Sequence, residues 1–342
     1  MNARLPRARL LLLLALAAVL AAWFGWRGWG GQEAPAFSGA PQRVVFATNT
    51  GYIGSCSIFA AQARGFFTQQ GIDAAITSHS SGKSAMEAML GGQADMATVA
   101  ELQVMFSGLA ERPVSVLATL FRGEKDHGIV GRRDRGIDSP ASLKGKHIGV
   151  ALNTSAHFAL EAFLNRQLLA PQDVTLHNYA TDQLAAALAR GEIDAAASWE
   201  PVLDTMRTAL AANGVGFNSQ DIYEINFNLV TTRSFLSGQR GTIERVLRAL
   251  DQGERFCAQS PALARSLLPA SVRAQASRPD TPWPALRFKL TLDQGLILAM
   301  EDQARWAIRH RMTERSGPPN YLDHIYIDGL DVVAPAAVTL IH

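Results

Sequence analysis

Three short polar runs and two carboxylates carry the residue types that could do chemistry here. The runs are Asn49-Thr50-Gly51, Ser80-Ser81-Gly82 and Asn153-Thr154-Ser155. Their short side chains both donate and accept hydrogen bonds, so each run either caps a helix or holds a polar ligand. Glu101 and Glu200 each follow a short apolar segment. A carboxylate at such a place welcomes an amine, amide or ring N–H and repels an oxyanion, so Glu101 argues against a simple oxyanion as ligand. Glu200 has a second reading, as an acceptor for backbone N–H groups. Tyr52 and Trp199 are the aromatic walls a small-molecule pocket would use, or else core residues. His157, one turn into a helix, and Asn226 complete the set of candidate ligand contacts. Arg122, Lys125 and His127, near the first crossing between the halves, could supply positive charge, or else form a solvated hinge.

No catalytic residue is assigned. The chain lacks a Gly-x-Ser-x-Gly elbow, a Gly-x-x-x-x-Gly-Lys-Ser/Thr loop and a His-Glu-x-x-His pair. The eight histidines are scattered, and His310 and His324 lack metal-ligand spacing, so neither metal nor cofactor is expected.

The elements that must position these residues follow from composition and pattern. The 342 residues are 48% hydrophobic and 18% charged, with a net charge of +2. That balance lies outside the disordered regime, and the length suits about two domains after a leader. No basic block runs through the body of the chain, so nucleic acid is not an expected partner. Cys56 and Cys257 are too few for a zinc site; they are either buried thiols or, in an oxidising compartment, one bridge.

Arg4, Arg7 and Arg9 precede the apolar run Leu10–Trp26, a basic region followed by a hydrophobic one, as in an export signal. Trp23, Trp26 and Trp29 cluster where the run ends, as aromatics do at a membrane interface. Residues 1–30 therefore read as a signal peptide or a retained inner-membrane anchor, and 31–42 as a linker.

From Arg43 strand-like and helix-like segments alternate, an order that favours a parallel sheet covered by helices. Strands are expected at Arg43–Ala47, Ile72–Ile76, Met96–Val99 and Val114–Leu120, with helices at Ser57–Arg64, Ser84–Leu90 and from Leu102. The order restarts at Lys146–Val150 and runs through Ala156–Leu169, Val174–Asn178, Thr181–Arg190, Ala195–Ser198 and Pro201–Asn213. Asn226–Thr231 is a further strand. Helices then dominate to His310, with a loop at Ala270–Pro284 and an alternating tail from Tyr321 to Val333. Gly92-Gln93-Ala94-Asp95 matches Gly191-Glu192-Ile193-Asp194. In the same register Ala100-Glu101 falls on Trp199-Glu200, so the halves read as two lobes of one architecture. The polar runs then lie at the carboxyl ends of strands, where open α/β sheets bind ligands.

Four segments carry a family resemblance. They are Ala60-Ala61-Gln62-Ala63-Arg64-Gly65-Phe66-Phe67, Gly92-Gln93-Ala94-Asp95-Met96-Ala97, Leu143-Lys144-Gly145-Lys146-His147-Ile148-Gly149-Val150 and Gly191 through Pro201. In this order they resemble the periplasmic solute-binding proteins of nitrate, sulfonate and taurine ABC importers, a group related to thiamine-pyrimidine synthase. The resemblance implies an α/β type II periplasmic-binding-protein fold, two Rossmann-like lobes joined by a two-strand hinge. Lobe one would span 43–128 and 231–342 with the C-terminal helices, and lobe two 129–230. The hinge crossings would lie near Ile129-Val130-Gly131 and Asn228-Leu229-Val230.

It further implies a monomeric, periplasmic, non-enzymatic protein. Such a protein captures a small polar organic solute between its lobes and passes it to an ABC permease with a separate ATPase. A periplasmic sensor partnered with a membrane receptor and a pyrimidine-synthase-like enzyme are the alternative readings. The cysteine-rich stretch of the synthases is absent.

Overall fold

The computed structural model describes residues 37–219, 221–275, 283 and 286–341. The expected leader and most of the linker lie outside them. No helix among the described residues is long and apolar enough to cross a membrane.

Eleven strands among the described residues form two sheets. They are β1 (Gln42–Thr48), β2 (Ile72–Ser78), β3 (Met96–Ala100), β4 (Val114–Gly123), β5 (His127–Arg132) and β6 (His147–Val150), followed by β7 (Thr175–Asn178), β8 (Ala195–Trp199), β9 (Gly214–Asn218), β10 (Ile225–Thr232) and β11 (Arg287–Thr291). The first sheet has the order β11-β4-β10-β3-β1-β2 and the second β7-β6-β8-β5-β9. In the first, β1 runs parallel to β2 and β3, while β10 is antiparallel to β3 and β4. In the second, β6 runs parallel to β7 and β8, while β5 is antiparallel to β8 and β9. Apart from the extra edge strand β11, the sheets therefore share one plan, a parallel core beside one reversed strand. This is the two-lobed α/β architecture of periplasmic binding proteins.

Local sequence explains the core strands. All five residues of Met96–Ala100 and of Ala195–Trp199 are buried, as continuous apolar strands covered on both faces should be. The repeated Gly-x-x-Asp does the same work in each lobe. Gly92 and Gly191 both sit at φ +75°, a left-handed conformation that suits glycine at the end of a helix. Three residues on, Asp95 Oδ2 accepts the amide of Val45 at 2.8 Å, and Asp194 Oδ2 accepts that of His147 at 2.9 Å. Each Asp thus ties the incoming strand to the first strand of its lobe.

The crossings between sheets fall at 124–126 and 219–224, because β4 ends at Gly123 and β5 begins at His127, while β9 ends at Asn218 and β10 begins at Ile225. Ile129–Gly131 and Asn228–Val230, expected as hinge, sit inside the ladders of β5 and β10. β5 and β9 escape the sequence reading, because the glycines at 128, 131, 214 and 216 dilute their apolar pattern. β11 escapes it too, hidden behind the Ala- and Pro-rich stretch. Ala270–Gln275, expected to begin a loop, is helical; residues 276–282 and 284 of that expectation lie outside the described set.

The helix Cys56–Ala63 packs on the long helix Arg240–Gln259 so closely that a Cβ at Gly253 would lie 2.3 Å from the Ser57 carbonyl oxygen. Beside that contact Cys56 and Cys257 form a disulfide, which removes the thiol reading. The C-terminal tail folds as a 3-10 turn at Tyr321–His324 and a helix at Ile327–Val333. It packs on the first lobe, where the Tyr321 hydroxyl donates to the Met105 carbonyl at 3.2 Å.

Candidate functional site

A small cavity lies where both lobes contribute strand ends. Asn49, Tyr52, Ser81 and Lys83 come from the first lobe, and Thr154, Ser155 and Trp199 from the second. Ala100, Ile225 and Phe227 add apolar surface, and Gln103 a further amide. Among these lining residues Lys83 alone carries a formal charge.

Two helices of different lobes open on this space. Gly82–Leu90 begins behind Ser81, whose hydroxyl accepts the Ser84 amide in a capping box. Ser155–Arg166 begins behind Thr154, whose own hydroxyl instead donates to the Ala151 carbonyl at 2.7 Å. First-turn amides have no acceptor within their helix, and the helix dipole adds partial positive charge there. With Lys83, these groups give the cavity a positive character.

Six sequence candidates therefore meet in one cavity: Asn49, Tyr52, Ser81, Thr154, Ser155 and Trp199. The other six are placed elsewhere. Thr50 shares a hydrogen bond with Ser78 at 2.5 Å beside β2. Asn153 lines an adjoining cavity together with Lys83, Gln103 and Phe106. His157 is buried with its Nε2 3.2 Å from Glu161. Glu200 accepts the Asp204 amide and pairs with Arg207, the structural role foreseen as its alternative. Asn226 lines a third cavity with Tyr223 and Gln303.

Glu101 is the informative displacement. It is fully buried outside the cavity lining and accepts from Tyr223 Oη at 2.7 Å, Gln303 Nε2 at 2.5 Å and the Asn226 amide at 2.8 Å. Burial pushes its carboxyl above the usual range, and the three donors only partly offset that. The argument that Glu101 repels an anion in the cleft therefore falls.

Behind the cavity runs a chain of buried groups. Tyr52 Oη donates to Asp126 Oδ2 at 2.5 Å, Asp126 Oδ1 lies 3.1 Å from His127 Nδ1, and His127 Nε2 lies 2.9 Å from Ser155 Oγ. Burial and the neighbouring Asp126 carboxylate push the Tyr52 hydroxyl well above its ordinary range. Sequence reasoning left His127 and Arg122 as hinge charges. His127 is instead buried in this chain, and Arg122 is paired with Asp293. Lys83 and Gln103 were missed, although Lys83 directly extends Ser80-Ser81-Gly82 and Gln103 lies two residues beyond Glu101.

Comparison with known proteins places this geometry in a family. A putative aliphatic sulfonates-binding protein of Bacillus subtilis (strain 168) is 30% identical over 171 residues, 49% of this chain and 51% of that protein. The match thus spans about half the length of that relative. A 4-amino-5-hydroxymethyl-2-methylpyrimidine phosphate synthase of Schizosaccharomyces pombe is 29% identical over 138 residues, 40% of this chain and 39% of the enzyme. The alkanesulfonate-binding protein SsuA from Xanthomonas axonopodis pv. citri, bound to MOPS, has the same fold at a TM-score of 0.70 and 18% identity, covering 84% of this chain and 99% of that one. Residues 53–264 match the family described as NMT1/THI5 like, a stretch that holds strands of both lobes and every cavity-lining residue except Asn49 and Tyr52. The chain belongs to the NMT1/THI5-like family.

Proposed function

We propose that this protein captures a small organic anion between its lobes and hands it to an ABC permease driven by a separate ATPase. The observation that carries the reading is the inter-lobe cavity, with Lys83 as its one charged lining group and two helix N-termini from opposite lobes. Tyr52, Trp199, Ile225 and Phe227 supply apolar wall, so the favoured guest pairs an anionic head with a compact apolar body. Sulfonates fit that description, and the sulfonate-binding names of the Bacillus and Xanthomonas proteins support it. The guest would shift an open–closed equilibrium toward the closed form by binding that form better.

The reading extends to location. The Cys56–Cys257 bridge suits an oxidising compartment, and residues 1–30 would direct the chain to the periplasm as a signal or an anchor.

Thermal unfolding with a panel of alkanesulfonates, carboxylates, amines and pyrimidines tests it. A true ligand raises Tm by mass action, and sulfonates or carboxylates are expected to do so. A shift with amines alone, or none across the panel, would sink the reading. N-terminal sequencing of the exported protein separates a cleaved signal from an anchor.

A further inference from the structure

We infer that the cavity also holds a nucleophile, and that Ser155 is poised for acyl transfer from small carboxylic esters. This goes beyond solute capture. The three groups behind it stand in the order such chemistry needs. Asp126 Oδ1 lies 3.1 Å from His127 Nδ1, and His127 Nε2 lies 2.9 Å from Ser155 Oγ. A carboxylate on Nδ1 keeps the proton on that nitrogen, which leaves Nε2 free to accept the serine proton. Tyr52 holds the far oxygen of Asp126 at 2.5 Å, so the carboxylate cannot turn away. His127 and Asp126 are both buried, 1% and 4% exposed, while Ser155 lines the cavity. Base and orienting group are therefore shielded, and Ser155 borders the space a substrate would fill.

Ser155 also opens the helix Ser155–Arg166. The amides of Ser155 and Ala156 belong to its first turn and have no acceptor within the helix. They are placed to receive the charge that develops on a carbonyl oxygen attacked by Ser155 Oγ. Lys83, in the same lining, would hold an anionic substituent of the ester.

The step balances with water as the only co-reactant. Ser155 Oγ adds to the ester carbonyl carbon as its proton passes to His127 Nε2. Collapse breaks the bond to the alcohol oxygen, which leaves with that proton. Water, deprotonated by His127, then cleaves the acyl-serine, releasing the carboxylic acid and restoring the hydroxyl. No local sequence motif announces this arrangement. His127 follows Asp126 directly, and the serine comes from 28 residues further on, after β6.

The test uses the exported chain, a fluorophosphonate probe and p-nitrophenyl acetate. One adduct per chain is expected, mapped by peptide mass spectrometry to Ser155, with ester hydrolysis above the buffer rate. Ser155→Ala should abolish both, and His127→Gln should slow labelling at least about 100-fold. No adduct on the wild-type chain, or labelling that survives Ser155→Ala, would overturn the inference. The wild-type mapping stands even if a variant fails to fold. A wild-type chain that stays unlabelled yet is stabilised by anions would refute the nucleophile and leave solute capture intact.

Discussion

Gln103 Nε2 donates to the backbone carbonyl of Asn153 at 3.0 Å, a bond that ties the helix after β3 to the turn after β6, beside the cavity. It therefore joins one lobe to the other at the cavity wall. Asn153 itself sits at φ +61°, in the left-handed region that asparagine tolerates better than most residues. A neutral hydrogen bond of this kind contributes on the order of 1 kcal/mol. Gln103→Ala is expected to weaken ligand affinity about fivefold, mainly through faster release. Calorimetry and stopped-flow release rates check this; an unchanged off-rate would show that the bond does not report closure.

Lys83 should set the charge preference of the cavity. Lys83→Gln is expected to cost about tenfold to a hundredfold in affinity for an anionic ligand and little for an uncharged analogue. Titration at two salt concentrations checks it, since the wild-type affinity should fall with salt more steeply than that of the variant. Equal losses for charged and neutral ligands would point to packing instead.

Trp199 has two roles that truncation to Ala will not separate. It lines the cavity, yet it is only 6% exposed and packs in the apolar cluster that includes Tyr223 and Phe227. Trp199→Ala is expected to lose both ligand affinity and about 3–5 kcal/mol of stability. Trp199→Phe should keep most of the stability while still weakening binding. Denaturant midpoints beside binding isotherms distinguish the two effects, and a fully stable Ala variant would contradict the burial.

The disulfide closes a sequence separation of 201 residues. Replacing Cys56 and Cys257 together with Ala should lower stability by about 2–5 kcal/mol. The same loss should appear in the wild type under strong reductant. Urea midpoints with and without dithiothreitol measure it; coincident curves would mean the bridge contributes nothing.

Glu101 and Glu161 should respond oppositely to pH. Glu101 titrates above its ordinary value of 4.5 in the folded chain, so it stabilises the fold below that value and the contribution is lost as pH rises through the folded value. Burial also pushes Glu161 up, but donors from His157 and Trp306, with the charge of His310, outweigh it and hold the carboxyl below its usual range. Its contribution is present above the unfolded value and lost as pH falls. The Tm of the wild type relative to Glu101→Gln should therefore decline as pH rises above the ordinary carboxyl value of 4.5, and relative to Glu161→Gln should fall as pH drops below it. Parallel curves for both variants would refute the assignment.

The lobes and the cavity were legible in sequence where residues act through local rules. Ser81 and Thr154 announce helix starts, and the doubled Gly-x-x-Asp announces equivalent strands. What stayed hidden depends on distant partners. Glu101 looks like a cleft carboxylate until Tyr223 and Gln303 arrive from far along the chain to occupy it. His127 looks like a surface charge until Ser155 and Asp126 enclose it. Periodicity also failed for β9 and β11, one short and rich in glycine, the other at the outer edge of its sheet.

The placement of β10 has a consequence for biogenesis. This strand lies between β3 and β4, so the amino-terminal sheet keeps a gap until translation has passed residue 232. The second lobe draws every strand from 127–218 and has no such wait. During synthesis or translocation the middle of the chain should gain protection from proteases first. The ends, although half of them emerge earlier, should remain cleavable until the last third arrives to complete them.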